Sequence, residues 1–183
     1  MTTDKTTTTL DDFISEDLFC LSIGLNPSIP SVKAGYYFAN PRNRFWSALN
    51  AANLFPEVLD RSIESQRRLH TQYRIGFTDV VKRPSRMGHE LNAADFRRDA
   101  PLLRDKIERY QPGLLWFHGK IAVTKFFYYA YGLKQEWDWG VCSVPELTMP
   151  VLITPNPSPA NATYSVQNIT QQYQALIPYL VAD

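Results

Sequence analysis

Two stretches of the sequence end apolar runs with amide, proline and hydroxyl residues. One run, residues 18–25, is followed by Asn26, and the other leads into "PNPSPAN", whose polar part begins at Asn156. Residues of these types fix turn geometry and direct amide groups into a cleft. A carboxamide forms hydrogen bonds but does not take up a proton as a carboxylate does, so it would position a reacting group rather than deprotonate it.

Four short apolar runs alternate with segments of helical periodicity. The runs lie at residues 18–25, 73–81, 113–119 and 150–159. This alternation predicts an α/β fold, a three-layer α/β/α sandwich with a mostly parallel central sheet of about four strands. Each amide-containing loop alone is typical of an ordinary turn. Because open parallel sheets bind ligands beyond the carboxyl ends of their strands, the pair favours a binding site.

Composition sets limits on the partners. The chain has 183 residues, of which 44% are hydrophobic, so it is long enough for one domain with a substantial core. We assign residues 13–183 to that domain and the Thr-rich residues 1–12 to a disordered tail. The net charge of +1 indicates no global field for nucleic acid or membrane, so DNA binding would need a local positive patch.

The cysteines and histidines do not form a recognisable metal motif. Cys20 and Cys142 are the two cysteines, too few for a four-cysteine site, and the three histidines lack metal-ligand spacing. No apolar run reaches the length of a membrane span, and the first residues lack the features of a signal peptide. We therefore expect a cytoplasmic protein, nucleoid-associated if bacterial, with no metal and no membrane partner.

Four segments resemble the mismatch-specific uracil and thymine DNA glycosylases, a branch of the uracil-DNA glycosylase superfamily. They read "IGLNPSIPSVKAGYYFANPRNRFW", "GFTDVVKRPS", "LLWFHGK" and "TPNPSPAN", stand in the family's order, and span roughly residues 18–180. The first is the specific one, because G-x-N-P-S followed at a fixed distance by "GYYFANP" and "NRFW" is hard to obtain by chance. The resemblance implies a uracil-DNA glycosylase-like fold, no cofactor, and removal of a damaged or mispaired base from DNA.

The resemblance also assigns roles to residues. Asn26 matches the asparagine that orients the attacking water, and Phe38 matches the aromatic residue on which the extruded base stacks. Backbone amides of residues 24–28 would stabilise the departing base. Tyr36 or Tyr37 could pack in the core or narrow the pocket against a 5-methyl group, and Asn156 could bind the base or close a turn. The residues expected to bind the base are Gly24, Leu25, Ser28, Tyr37, Phe38 and Asn156.

Contacts with the DNA backbone are expected from two basic clusters and from the loop at Asn156. The clusters could grip phosphates, although charges of this kind commonly just face solvent. The family's wedge residue, which fills the gap left by the extruded base, matches Ala160 or Asn161 here. Alanine is too small for that gap, which favours single-stranded or weakly paired substrates. The expected DNA-contacting residues are Arg42, Lys82, Arg83, Arg86, Ser158, Ala160 and Asn161, with Arg44 beside Arg42.

Three functions remain open on the sequence alone. The first is a monofunctional DNA glycosylase of base excision repair that removes uracil, with thymine or modified pyrimidines as further substrates. The second is the same fold removing hypoxanthine or another modified base, and the third is a module that binds damaged DNA without cleaving it. A monomer suffices for each. Asp79 and Ser85 lie in a segment that the family uses near the base pocket, without an assigned role, and His118 is expected to be structural.

Overall fold

Five strands form one sheet in the computed structural model, which describes residues 9–180. They are β1 (Cys20–Gly24), β2 (Ile75–Asp79), β3 (Leu115–His118), β4 (Gly140–Cys142) and β5 (Val151–Thr154). Their order is β2-β1-β3-β5-β4, and each neighbouring pair is parallel except β4 with β5. The predicted mostly parallel sheet is confirmed, and the short antiparallel edge strand β4 is an addition to the four predicted strands.

Helices cover both faces of this sheet. Within the described residues they are α1 (Ile29–Ala34), α2 (Phe45–Ala51), α3 (Ile63–Thr71), α4 (Ala93–Tyr110), α5 (Lys120–Tyr131), α6 (Val166–Tyr173) and α7 (Ile177–Leu180). Short 3-10 turns lie at Gly88–Glu90 and Gln174–Leu176. The alternation of strands and helices agrees with the α/β/α sandwich expected from the sequence.

Two apolar clusters, one on each face of the sheet, hold the three layers together. On one face Phe126 of α5 packs against Phe117 of β3, with ring centroids 5.5 Å apart. On the other face Tyr173 of α6 packs against Trp116 of β3, with centroids 4.8 Å apart. Successive strand residues point to opposite faces, so a strand covered on both faces is apolar throughout. This burial explains the continuous apolar runs in the sequence.

The first described residues pack against the domain. Leu10 is 3% exposed, and Asp12 forms an ion pair with Lys82 at 2.7 Å. The disordered tail predicted for residues 1–12 therefore does not extend to Leu10 and Asp12, because burial and charge pairing hold them in place. Residues 1–8 lie outside the described residues.

Three further features concern membrane helices, metal ligands and the cysteines. None of the helices within residues 9–180 is long and apolar enough to cross a membrane. Over the same range, no group of three or more His, Cys, Asp or Glu side chains is arranged to hold a metal ion. Cys20 is buried and Cys142 is half-buried, and both are free thiols.

Candidate active site

A cavity of about 1160 Å³ opens at the carboxyl end of the parallel strands. Two loops border it, the first loop (residues 24–28), which begins at the last residue of β1, and the second loop (residues 156–161), which follows β5. They meet there because β3 alone separates β1 from β5 in the sheet. The predicted site residues that line this cavity are Gly24, Leu25, Asn26, Ser28, Tyr37, Phe38, Arg42, Arg86, Asn156, Ser158, Ala160 and Asn161.

Asn26 is held with its carboxamide in one orientation. Its Nδ2 donates to the backbone oxygen of Arg83 at 2.9 Å and to Ser85 Oγ at 2.8 Å, which uses both amide hydrogens. Within the described residues, Oδ1 is left to accept a hydrogen bond, and Asn26 borders the cavity. The side chain can therefore hold a water molecule through Oδ1.

The backbone of the first loop is bonded to the segment that follows β2. The N–H groups of Val80 and Val81 donate to the carbonyl oxygens of Gly24 and Leu25, both at 2.9 Å. Beyond them, the loop continues directly into α1, where Ser28 accepts a hydrogen bond from the N–H of the third residue along and caps the helix. The loop is thus fixed at both ends, and the Ser28 hydroxyl serves the helix cap.

Asp79 ends β2 directly opposite Gly24 of β1 and borders the cavity. A Cβ atom on Gly24 would lie 2.5 Å from Asp79 Oδ1, so glycine alone leaves room for the carboxyl group. Asp79 is 5% exposed, and its Oδ2 has no hydrogen-bond partner among the described residues. Burial raises the pKa of Asp79 to about 7, against the opposing effect of the nearby Lys82.

Phe38 borders the cavity with a second aromatic ring directly behind it. Its ring and that of buried Phe45 are stacked, with centroids 4.1 Å apart and planes 18° from parallel. The backbone φ of Phe38 is 59°, in the left-handed region that residues with a side chain rarely occupy. The surrounding structure therefore holds this ring in place, and a planar group that enters the cavity can stack on it.

Tyr37 is mainly a packing residue. The side chain is buried, its hydroxyl donates to the Asp11 carbonyl at 3.1 Å, and Lys82 Nζ donates to the same hydroxyl at 3.3 Å. Burial raises the pKa of Tyr37 well above its ordinary value, so the phenol stays neutral. Although Tyr37 contributes to the cavity wall, these contacts favour the core-packing interpretation.

His118 ends β3 beneath Phe38 and is also part of the cavity wall. It is 2% exposed, its Nε2 lies 2.7 Å from Ser22 Oγ, and its Nδ1 has no partner among the described residues. Burial lowers the pKa of His118 to about 3, so the ring is neutral near pH 7. It therefore adds no positive charge to the site.

The second loop is held by Arg44, which precedes α2. Its backbone N–H and its Nε donate to the Pro157 carbonyl at 3.0 and 3.3 Å, and Nη2 donates to the Ser158 carbonyl at 2.7 Å. The guanidinium also donates to the carbonyl oxygens of Asn161 and Tyr164. None of the carboxylates in residues 9–180 pairs with Arg44. The phosphate contact considered for Arg44 would compete with these four carbonyl groups.

The side chains of the second loop differ in how much of them faces outward. Asn156 Oδ1 accepts a hydrogen bond from the Ser158 N–H at 2.9 Å, and Asn161 Nδ2 donates to the Asn156 carbonyl at 3.0 Å. Asn156 therefore closes a turn and lines the cavity at once. Ala160 is exposed at the rim, whereas the Asn161 amide is bonded into the loop. Of the two wedge candidates, Ala160 is the one that faces outward.

The rim of the cavity is positively charged. Arg42 and Arg86 are exposed there, and Lys120 and Lys125 border the same cavity. Among the described lining residues the one carboxylate is the buried Asp79. A local cationic surface thus exists although the net charge of the chain is only +1.

Lys82 and Arg83 do not border the cavity, whereas Arg42 and Arg86 do. Lys82 is paired with Asp12, and Arg83 forms two hydrogen bonds with Asp95, at 2.9 and 2.7 Å. The hydrogen bond from Arg83 contributes most to holding the pKa of Asp95 below its usual range. Phosphate contacts by Lys82 and Arg83 would require these ion pairs to break, so their predicted role is not supported by their positions.

Some lining residues were not singled out by the sequence analysis. Leu10, Lys120 and Trp139 all border the cavity, and Lys120 Nζ lies 4.7 Å above the Trp139 ring. They come from the N-terminal segment, from α5 and from the residue before β4. None belongs to either loop motif, so only the three-dimensional contacts reveal them.

Comparisons with known proteins bear on the family and on the fold. A family model described as "Uracil DNA glycosylase superfamily" matches residues 12–180. A solution NMR structure of a "putative Uracil DNA glycosylase" from Methanosarcina acetivorans is similar, with a TM-score of 0.64 and 22% sequence identity. The match covers 95% of this chain and 98% of that chain. At this identity the structural likeness supports the fold, whereas the family model reaches the superfamily without distinguishing a branch within it.

Proposed function

The chain belongs to the uracil DNA glycosylase superfamily and is a DNA glycosylase, and from this premise we propose that it hydrolyses the N-glycosidic bond of uracil in DNA. The observation that carries the proposal is the fixed carboxamide of Asn26. Its Nδ2 is held by Arg83 and Ser85, and its Oδ1 is left for a water molecule in the cavity that Phe38 also borders. The reaction would be the first step of base excision repair.

In the proposed reaction the uracil leaves the base stack and lies on Phe38. Asn26 Oδ1 accepts a hydrogen bond from a water molecule and so aims the water oxygen at the sugar C1′. That oxygen bonds to C1′, the electrons of the glycosidic bond move onto the base, and the water proton ends on the departing base. Because an amide cannot take the proton, stabilisation of the base anion by hydrogen-bond donors must supply most of the rate.

This dependence on the leaving group predicts the order of substrates. Uracil and electron-poor modified pyrimidines leave more easily than thymine, so thymine would be a slow substrate. The rim cations Arg42 and Arg86 would contact phosphates beside the extruded nucleotide. Ala160 offers little side chain to fill the gap in a duplex, which favours unpaired or weakly paired uracil.

Hypoxanthine is a second candidate substrate. It presents a carbonyl oxygen beside a ring N–H, as uracil does, and a cavity of about 1160 Å³ has room for a purine. A single assay can compare the two bases.

The test uses oligonucleotides that carry U opposite G, T opposite G, hypoxanthine opposite T, or unpaired U. Each is treated with excess enzyme and then with alkali, which breaks the strand at an abasic site. We expect product with unpaired U and with U opposite G, and more slowly with T opposite G. For a monofunctional enzyme, no strand break should precede the alkali, and borohydride should trap no covalent complex.

Asn26→Ala should lower the single-turnover rate on uracil by on the order of 10²-fold, because the water loses its fixed position. The matched control is Gln171→Ala, which removes a carboxamide from the exposed face of α6 and should keep the wild-type rate. Wild-type activity in Asn26→Ala would contradict the proposed mechanism. Tight binding of all four oligonucleotides without product would instead favour a non-cleaving damage-binding module.

A further inference from the structure

We propose that Asp79 selects the base through its own protonation state, so that the enzyme removes carbonyl-bearing bases while this carboxyl group is neutral. The inference rests on the proposed function. It names the class of base recognised at this wall, one with a carbonyl oxygen next to a ring N–H. Uracil, thymine and hypoxanthine share that edge.

The position of Asp79 supports a direct contact with the base. It ends β2 in register with Gly24, whose missing Cβ gives the carboxyl group room, and it lies in the same cavity wall as Asn26 and Phe38. Its Oδ2 is buried without a hydrogen-bond partner among residues 9–180. A carboxyl group in the cavity wall with an unpartnered oxygen has hydrogen-bonding capacity left for a bound base.

The charged groups around Asp79 form ion pairs with one another. Lys82, which favours the ionised form of Asp79, is paired with Asp12 at 2.7 Å, and Asp12 also pairs with Lys106 at 2.5 Å. Burial raises the pKa of Asp12, but the two lysines outweigh it and the net pKa is lowered, so Asp12 stays charged near neutral pH. Tyr37, whose pKa lies well above its usual value, stays neutral. In this cluster Asp79 is the group poised to change charge near pH 7.

The two protonation states of Asp79 interact oppositely with such a base. The neutral acid donates one hydrogen bond to the base carbonyl oxygen and accepts another from the ring N–H. The ionised carboxylate has no proton to donate, and its charge opposes the negative charge that grows on the departing base. Both effects act in the same direction, so excision should decline as pH rises through the pKa of Asp79, which burial places at about 7.

The first measurement is the single-turnover excision of unpaired U by the wild-type enzyme between pH 6 and 9. The rate should fall about tenfold for each pH unit above 7, because the neutral fraction of a single acid falls in that proportion. In Asp79→Asn, which keeps a donor and an acceptor but does not titrate, the rate should vary by less than about threefold over the same range. His89 also borders the cavity, so His89→Gln is the matched control and should retain the decline.

A second measurement uses the wild-type protein alone and so does not depend on the folding of a variant. Affinity for an oligonucleotide with an uncleavable 2′-fluoro-uridine should be lower at pH 8.5 than at pH 6, and affinity for an abasic analogue should change much less. A decline that persists in Asp79→Asn, or a wild-type rate that is level from pH 6 to 9, would overturn the inference while the proposed function stands. Absence of uracil and hypoxanthine excision at every pH would overturn both.

Discussion

The first and second loops border the same cavity but are held in different ways. The first loop has several independent anchors, among them backbone bonds from Val80 and Val81 and the two bonds of the Asn26 amide. The second loop is joined to the domain chiefly through Arg44, whose guanidinium donates to the carbonyls of Pro157, Ser158 and Asn161 in the loop and of Tyr164 just beyond it.

This difference matches the tasks that the two loops would perform. The reaction slows when a water-positioning group shifts by a fraction of a bond length. Several independent anchors in the first loop are therefore useful. A loop that meets the DNA backbone can tolerate small shifts, and one side chain suffices to hold it. The comparison predicts that the first loop is sensitive to crowding and that the second is sensitive to the loss of Arg44.

The largest effect is expected from Gly24→Ala, which adds a Cβ atom 2.5 Å from Asp79 Oδ1. Displacement of the first loop or of Asp79 should lower single-turnover uracil excision by on the order of 10²-fold. Affinity for DNA should change much less, because the rim cations and the second loop remain in place. Excision assays and equilibrium DNA binding, measured on the same preparation, check both parts.

The origin of that effect can be tested by a double-mutant cycle. Gly24→Ala should reduce the free energy of unfolding by about 1–3 kcal/mol in the wild type, as overpacked sites do, and by less in an Asp79→Ala background. If Gly24→Ala lowered the free energy of unfolding equally in both backgrounds, the contact with Asp79 would not be the cause of the loss.

An intermediate effect is expected from Arg44→Gln, which removes the guanidinium donors of the second loop. Hydrogen bonds from charged donors contribute about 1.5–3 kcal/mol each, so the loop should loosen and affinity for duplex DNA should fall by roughly tenfold. Amide hydrogen exchange at residues 158–164 should speed up. Arg42→Gln, which removes a rim cation without touching the loop, is the control and should lower affinity while exchange stays slow. Unchanged exchange in Arg44→Gln would mean that the loop has other supports.

The smallest effect is expected from Ala160→Leu, which enlarges the outward-facing residue of the second loop. A larger apolar side chain can fill the gap left by an extruded base, so excision of U opposite G should increase by about two- to threefold. Unpaired U has no such gap and serves as the internal control. An equal change on both substrates would show that Ala160 does not occupy the wedge position.

Much of the fold could be predicted because burial on both faces makes the central strands continuously apolar. The parallel strands β1, β2, β3 and β5 follow from that pattern, and the meeting of the two loops follows from their order. The strand β4 has only three residues, and its middle residue is exposed, so it lacks that signal. The polar, Thr-rich composition of residues 1–12 predicts a tail, whereas the order of Asp12 comes from a distant partner, Lys82.

The site residues could be predicted where a motif fixes the local geometry. They could be predicted less well where ion pairing determines the role of a basic side chain. Asn26 and Asn156 border the cavity as expected, because turn residues at the carboxyl ends of these strands lie there, whereas Phe38 reaches it from the segment between α1 and α2. Lys82, Arg83 and Arg86 look alike in the sequence, but Asp12 and Asp95 bind the first two and leave Arg86 at the rim. The partners of a charge lie far away in the sequence, so its role depends on the tertiary structure.

The stacking of Phe38 on Phe45 bears on the thermodynamics of capture. The ring is already supported by a parallel neighbour and an unusual backbone angle, so its conformational entropy is lost during folding and not when the base arrives. The free-energy cost of binding the base then comes largely from the nucleic acid, because the nucleotide must unstack. Local fraying of the DNA duplex should therefore accelerate capture of the base more than added mobility of the protein would.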